Sequence, residues 1–405
     1  MLLVVLALGA GAAGALVGAG NDDDDAEPAT SVPTPGRGRP EERISFLAKI
    51  VPPPAGEQAA GEAAFPRPVA ALARRMSTGR KVAQLFLYGF RGTGPSADIF
   101  GRLRRLDLGG VVLSSANYLN QGQLRGLTGA VAATAKQSRH LPPWVFASQE
   151  GGELNSFPDV GPSAAPADLR SPKEAAAGAR SSASSLRRLG VNAVLGPVID
   201  VGGAETGSAL GSRVYSDEPE QVAEYAAATV RAYRAERVFS APAHLPGLGA
   251  TDQSTQDGPA TVGLGLDELR QRDLIPFNAA IDAGTPGMLI GSALYPFSDF
   301  TVPASLTHVV DTTLLRQDMK FKGVSMTDDL ADPAIRALYT VPDAAVRALG
   351  AGADMLYISG SPGDQQASYI AVLRAVQRGK VPRDRLNQAV GRILLAKRTY
   401  RLLRR

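Results

Sequence analysis

Short apolar runs alternate with longer amphipathic segments along the chain beyond Pro68. This alternation is typical of β/α units that form a parallel sheet. Strands buried on both faces read as continuous apolar runs. The pattern predicts eight of them, at Leu85–Tyr88, Gly110–Leu113, Trp144–Ala147, Ala193–Pro197, Val238–Ala241, Met288–Gly291, Gly323–Met326 and Met355–Ile358.

The segments between these strands space their apolar residues along one face of a helix. They predict helices at Gln121–Gln137, Lys173–Leu189, Gln221–Glu236, Leu266–Ala283, Val310–Met319, Asp343–Leu349, Asp364–Arg378 and Arg383–Leu403. Eight strands, each followed by a helix, match an α/β fold of the single (β/α)8 TIM-barrel type. An open, doubly wound sheet is the alternative, but its phosphate loop would have to be Gly89–Gly94, a poor version of a nucleotide-binding motif.

The first part of the chain has a different character from the rest. Leu2–Gly20 is uncharged, rich in Leu, Val, Ala and Gly, and about long enough to cross a bilayer core. Four acids follow at once, and the Pro-, Ala- and Gly-rich stretch after them lacks periodicity, as in a disordered linker. The sequence therefore predicts three parts: a signal anchor or export signal at 1–20, a linker at 21–68 and the barrel at 69–405. We expect an extracytoplasmic protein, either secreted or membrane-anchored, that meets the membrane through the first segment alone.

Composition excludes several classes of function. The 405 residues carry a net charge of only +4, and the absence of a basic stripe interleaved with aromatic residues argues against nucleic-acid binding. The chain has no cysteine, which rules out disulfides, thiol nucleophiles and thiolate metal ligands. Its three histidines form no His/Asp/Glu group with ligand spacing, so we expect neither a metal nor another cofactor.

Polar residues follow the predicted strands at their carboxyl ends, where TIM barrels place their working side chains. A sugar site needs such a mouth, since a sugar presents many hydroxyls and cleavage of its glycosidic bond needs a carboxylate near the anomeric carbon. On pattern alone, a mouth of this kind could serve many reactions. The residues concerned are Ser148–Gly152, Asp200, His244–Gly247, Ser292 and Thr327–Leu330.

An ordered set of short motifs makes the prediction specific. The segments, each with the motif that it matches, are Lys81–Phe86 (K-V-x-Q-L-F), Gly109–Leu113 (G-G-V-I-L), Gln149–Gly152 (Q-E-G-G), Gly196–Val201 (A-P-V-x-D-V), Ser212–Ser216 (R-S-F-S), Ala243–Gly249 (K-H-F-P-G-H-G), Val324–Leu330 (T/S-D-D-L) and Ala345–Asp354 (A-V-R-A-L-x-A-G-A-D). In this order they resemble the motifs of the N-terminal barrel domain of glycoside hydrolase family 3, and within it those of the bacterial β-N-acetylglucosaminidases.

The resemblance implies a retaining glycosidase that acts on N-acetylglucosamine-containing carbohydrate of cell-wall origin, as in the peptidoglycan-trimming members. Asp328 stands where the family has the nucleophile that forms a covalent glycosyl-enzyme. Arg213 and His244 stand where the family grips sugar hydroxyls, and Asp200 is placed with them as a substrate-binding residue. We expect Asp329 to cap the helix that follows.

The departures from the family pattern leave two functions open. Ser254 and Gln256 align with the Asp and His of the family's acid/base loop, and neither can protonate a leaving oxygen near neutral pH. One alternative is a β-N-acetylhexosaminidase-like enzyme whose acid/base is Asp252 or Asp257 of the same loop. The other is a pseudoglycosidase, an extracytoplasmic module that binds sugar or a protein without turnover. Ser148, Ser156 and Ala243, which replace the family's Asp, Arg and Lys, favour the second.

Overall fold

The computed structural model describes residues 65–203, 208–296 and 302–403. The predicted export segment 1–20, and the predicted linker as far as residue 64, lie outside the described residues. Within the described ranges, no helix is both long enough and apolar enough to span a bilayer.

Eight short parallel strands form the centre of the described fold. Each predicted strand is confirmed within two residues at either end: β1 (Phe86–Gly89), β2 (Gly110–Leu113), β3 (Trp144–Ala147), β4 (Ala193–Val198), β5 (Phe239–Ala243), β6 (Gly287–Ile290), β7 (Val324–Thr327) and β8 (Leu356–Ile358). Six pair in the order β5-β4-β3-β2-β1-β8, and β6 pairs with β7. The result is an α/β fold built on a curled parallel sheet.

Helices connect and cover these strands. They are α1 (Arg67–Arg75), α2 (Thr78–Ala83), α3 (Ile99–Arg105), α4 (Gln121–Gln137), α5 (Pro172–Arg188), α6 (Pro219–Ala235), α7 (Leu266–Gln271), α8 (Leu274–Asp282), α9 (Pro333–Arg336), α10 (Val341–Ala351), α11 (Pro362–Gln377) and α12 (Arg383–Thr399), with a π-helical segment at Val309–Asp318. Side-chain caps define several starts. Asn120 accepts the amide of Gln123 before α4, and Ser171 accepts that of Glu174 before α5.

The helix predicted at Leu266–Ala283 is wrong as a single element. Between α7 and α8 the backbone of Arg272 leaves the helical region, at φ −129° and ψ −75°. Arg272 donates instead to the carbonyl of Val201, over 2.8 Å, and Asp273 is fully buried next to Gly247. The break therefore comes from a tertiary contact with the loops after β4 and β5, which hydrophobic spacing does not encode.

The amino-terminal ends of the strands are closed by an aromatic cluster. Trp144 begins β3, Phe239 begins β5, and their ring centroids lie 5.0 Å apart, with Tyr400 against both. Trp144 and Phe239 are completely buried. Since this end is filled with side chains, it serves stability, and the opposite, carboxyl ends of the strands remain for function.

A buried carboxylate fastens the last helix to the sheet. Asp354, just before β8, accepts hydrogen bonds from Arg316 (2.8 Å), Arg385 (2.5 Å) and Arg392 (3.0 Å), and from the amide of Ser325 on β7 (3.1 Å). One aspartate thus ties α12 and the π-helical segment to β7. The position of the strand that leads to Asp328 depends on this cluster.

Candidate active site

Four of the predicted site residues leave the sheet at the carboxyl ends of their strands. Ser148 follows β3, Asp200 follows β4, His244 follows β5 and Asp328 follows β7. Parallel strands bring these ends to the same edge of the sheet. The chain brings in Arg213 on a short 3-10 turn between β4 and α6.

A register shift helps to place Asp200. The pairing of β4 with β5 changes between Leu195 and Gly196, a bulge of the kind that re-aims side chains next to functional sites. Gly196 has φ +138°, a conformation that side-chain-bearing residues rarely adopt. Beyond the bulge, Val198 pairs with Ala243 and the amide of Ile199 donates to the carbonyl of Ala243. Asp200 therefore emerges beside the end of β5.

Asp200 and His244 form a buried pair. The Asp200 carboxylate accepts the Nδ1 of His244 at 2.7 Å, the His244 amide at 3.2 Å and the Leu248 amide at 2.7 Å. Burial alone lowers the pKa of His244, but the Asp200 charge and hydrogen bond outweigh it, and the Asp328 charge adds to them, so the pKa lies above its ordinary value of 6.5. Because Asp200 holds Nδ1, Nε2 is the ring nitrogen that remains for another partner.

Arg213 is held by Glu150, a partner that the sequence did not predict. The guanidinium donates through Nε at 2.7 Å and Nη2 at 3.0 Å to the two Glu150 oxygens, and Ser148 donates its hydroxyl to Glu150. Burial lowers the pKa of Arg213, whereas Glu150, Asp328 and Asp200 together raise it overall. The bidentate pair fixes the plane of the guanidinium at the site.

The two aspartates after β7 have separate environments. Asp328 is half-buried, its amide donates to the carbonyl of Ile290 on β6, and its Oδ1 accepts the amide of Asp329. Asp329 is buried and accepts the amides of Ala331 and Ser359, each at 2.9 Å. Asp329 thus binds the turn and the end of β8 rather than the start of α9, where it was expected to cap. Its role is structural, whereas Asp328 faces charged groups of the site.

Asp328 lies within electrostatic range of several charged groups. Its negative charge acts on Arg213, on His244 and on Asp332, a residue that the sequence did not single out. Asp332 is half-buried and its pKa is raised from 3.8 to about 9, chiefly by burial, then by the charges of Asp328 and Asp329, against a lowering by Arg213. The D-D-L-x-D spacing was the available signal for this carboxyl.

The loop that the family uses for its acid/base follows β5 and folds back on itself. Asp252 and Asp257, the two predicted replacement acids, both have exposed side chains. The Asp252 carboxylate accepts the Thr261 amide at 2.7 Å, which closes the loop. Thr255 between them is buried, and its carbonyl accepts the amide of Ala334 in α9 at 3.1 Å. The loop is thus seated on α9.

Within the ranges that the structure describes, no three or more His, Asp and Glu side chains group together as a metal site would require.

Comparison with known proteins agrees with this arrangement. The family model described as "Glycosyl hydrolase family 3 N terminal domain" matches residues 77–396. Beta-hexosaminidase A of Pseudoalteromonas piscicida is 29% identical over 284 residues, which cover 62% of this chain and 46% of that protein. Beta-hexosaminidase of Stenotrophomonas maltophilia is 30% identical, with 68% of this chain and 83% of that protein covered.

A solved structure shows the same relationship in three dimensions. The glycoside hydrolase family 3 beta-N-acetylglucosaminidase from Paenibacillus sp. superposes with a TM-score of 0.76 at 29% identity, over 81% of this chain and 63% of that one. This chain therefore spans about half to two thirds of the length of some relatives and most of the length of others. The matched residues include every strand and every candidate site residue described above. The chain belongs to glycosyl hydrolase family 3.

Proposed function

We propose that the protein is a β-N-acetylhexosaminidase-like glycosidase that hydrolyses the O-glycosyl bonds of N-acetylglucosaminides with retention of configuration. The observation that carries this proposal is the position of the half-buried Asp328 at the end of β7. Its amide donates to the carbonyl of Ile290, which bridges to Leu245, the residue next to His244. The names of the relatives, beta-hexosaminidase and beta-N-acetylglucosaminidase, support the substrate class.

Each residue of the site has a separate role in the proposed reaction. The Asp328 carboxylate attacks the anomeric carbon, forms a C–O bond to it as the glycosidic C–O bond breaks, and is released when water attacks the same carbon. Arg213 and His244 donate hydrogen bonds to sugar hydroxyls. Asp200 orients His244 and keeps its ring protonated to a higher pH than usual. The leaving oxygen also needs a proton, which a group other than Asp328 must supply.

The proposal extends to the architecture of the chain. The curled sheet is part of a closed (β/α)8 barrel, supported by single parallel bridges between Leu245 and Ile290, which lead from β5 to β6, and between Met326 and Met355, which lead from β7 to β8.

The apolar segment Leu2–Gly20 supports export, so the substrate would be N-acetylglucosamine-containing carbohydrate derived from the cell wall. Fractionation of cells that express the full chain tests this location, and recovery in the cytoplasm alone would contradict it.

A pseudoglycosidase is the second candidate, and a specific observation favours it. Ser254 and Gln256 cannot replace the family's Asp-His dyad. The two acids of the loop, Asp252 and Asp257, have solvent-exposed side chains. In this alternative, the site at the carboxyl ends of the strands binds N-acetylglucosamine or a protein but does not catalyse hydrolysis.

The assay that separates the two uses p-nitrophenyl N-acetylglucosaminide at several pH values. Its aryl leaving group departs without protonation, so a nucleophile alone suffices. We expect the wild type to release p-nitrophenol, Asp328→Ala to release none, and Asp318→Ala, an exposed surface carboxylate, to match the wild type. A wild type that binds N-acetylglucosamine but releases no p-nitrophenol would support the pseudoglycosidase instead.

A further inference from the structure

The turn after β7 carries an aspartate that the family motif does not assign. The chain runs from Asp328 through Asp329 to Asp332, whose amide donates to the carbonyl of Asp329 at 3.1 Å. This hydrogen bond closes a tight turn, so residue 332 returns towards residue 328 instead of continuing away from it. Asp328 and Asp332 are close enough for the charge of the one to act on the other.

The Asp332 side chain does not do what its position in the helix would usually require. It stands at the N-cap of α9, where an aspartate normally accepts an amide of the first helical turn. No such side-chain hydrogen bond forms, and only its carbonyl takes part, by accepting the amides of Ile335 and Arg336. The Asp332 carboxyl therefore does not serve as the helix cap.

Helix α9 lies against the loop after β5. The amide of Ala334 donates to the carbonyl of Thr255, which stands between the two residues that align with the family's acid/base dyad, Ser254 and Gln256. The charged and titratable groups that act on Asp332 or sense it come from three elements, namely Asp328 and Asp329 after β7, Arg213 after β4 and Tyr357 on β8.

We propose that Asp332 is the general acid and base of the hydrolysis proposed above, and this inference rests on that proposed function. The carboxyl takes the role that Ser254 and Gln256 cannot perform, from the adjacent turn instead of the loop. A glycosidase needs one carboxyl that attacks and a second that carries a proton. The raised pKa of Asp332 fits the second role, because burial and the charges of Asp328 and Asp329 favour its protonated form.

The proton and bond changes balance over two steps. In the first, Asp328 forms a C–O bond to the anomeric carbon, the glycosidic C–O bond breaks, and the Asp332 proton passes to the leaving oxygen. In the second, water attacks the anomeric carbon, its proton passes to the Asp332 carboxylate, and the bond to Asp328 breaks. Asp332 ends protonated and Asp328 ionised, as they began.

The test compares wild type, Asp332→Asn, Asp252→Asn and Asp257→Asn on N-acetylglucosaminides with a dinitrophenyl and a methyl leaving group, with Asp318→Asn as the surface control. We expect Asp332→Asn to lower kcat/KM on the methyl glycoside by about 10²–10⁴-fold, the usual contribution of a general acid, and far less on the dinitrophenyl glycoside. Azide needs no base to attack the glycosyl-enzyme. It should therefore restore kcat of the variant on the dinitrophenyl glycoside and yield a glycosyl azide. The fall of wild-type kcat/KM as the pH rises through the pKa of Asp332 should disappear in the variant.

Each other outcome overturns the inference in a distinguishable way. Equal losses on both substrates without azide rescue would make Asp332 a structural residue. The leaving-group asymmetry in Asp252→Asn or Asp257→Asn would move the acid to the loop. A wild type inert on both substrates would remove the proposed function itself, and with it the reaction step that Asp332 is proposed to catalyse. Thermal unfolding of Asp332→Asn checks that the variant is folded.

Discussion

Replacement of Asp200 by Asn tests the organisation of the site without changing the volume of the side chain. Asp200 is fully buried and accepts three donors, the ring and amide of His244 and the amide of Leu248. An asparagine turns one acceptor oxygen into a donor and removes the charge opposite the imidazolium. Loss of one partner from a buried ion pair costs about 3–5 kcal/mol, part of it from the donor left unsatisfied.

The pH dependence of this loss has a definite sign. The pKa of His244 in the folded protein lies above its ordinary 6.5. The Asp200–His244 pair therefore contributes its full stability below about pH 6.5 and loses it as the pH rises through the raised pKa. Asp200→Asn should therefore lower the free energy of unfolding most at about pH 5, below the ordinary pKa of His244, and less at about pH 9.

Urea unfolding followed by tryptophan fluorescence measures the effect, since Trp144 is the only tryptophan of the chain and is completely buried. Asp318→Asn is the control, because its pair with Arg270 is exposed and about 0–1 kcal/mol is expected from it. A loss below about 1 kcal/mol for Asp200→Asn, or a loss equal at both pH values, would refute the reasoning.

Three further predictions follow from other contacts. Arg213→Ala and His244→Ala should each weaken N-acetylglucosamine binding, measured by calorimetry, by about tenfold or more, since each removes a donor to the sugar; unchanged binding in both would favour a protein-interaction role. Gly249→Ala should cost about 3 kcal/mol or prevent soluble expression, because its Cβ would lie 1.8 Å from the carbonyl oxygen of Val201; Gly126→Ala in the open face of α4 should be neutral or stabilising by up to about 1 kcal/mol. Asp354→Ala should cost about 3–5 kcal/mol in urea unfolding, because it leaves Arg316 and Arg385 buried without the carboxylate that balances their charges.

The strands were predictable because burial on both faces is written directly into apolar runs. The carboxyl ends of the strands can then be read from the sequence, and this makes Asp200, His244 and Asp328 predictable as candidate site residues. The short helices α3 and α9 were not predicted, since one turn or two carries too little periodicity. The break at Arg272 was missed because the carbonyl that accepts from it, that of Val201, is 71 residues away.

The partners of the site residues were less predictable than the residues themselves. Glu150 lies within a motif that was noticed, but its bidentate bond to Arg213 joins residues 63 apart. The raised pKa of Asp332 depends on burial and on Asp328, Asp329 and Arg213 together, and a sequence does not show which charges meet. Spacing indicated where polar groups gather, and only the fold shows which of them share a proton or a charge.

Trapping of the covalent intermediate tests the central claim most directly. The wild-type protein would be incubated with a dinitrophenyl glycoside of a fluorinated N-acetylglucosamine analogue, and its intact mass and peptides measured by mass spectrometry. The account predicts one added sugar per chain, on the peptide that contains Asp328, with none on Asp328→Ala. An unmodified wild-type protein that nevertheless binds N-acetylglucosamine, or a sugar attached to a different residue, would contradict it.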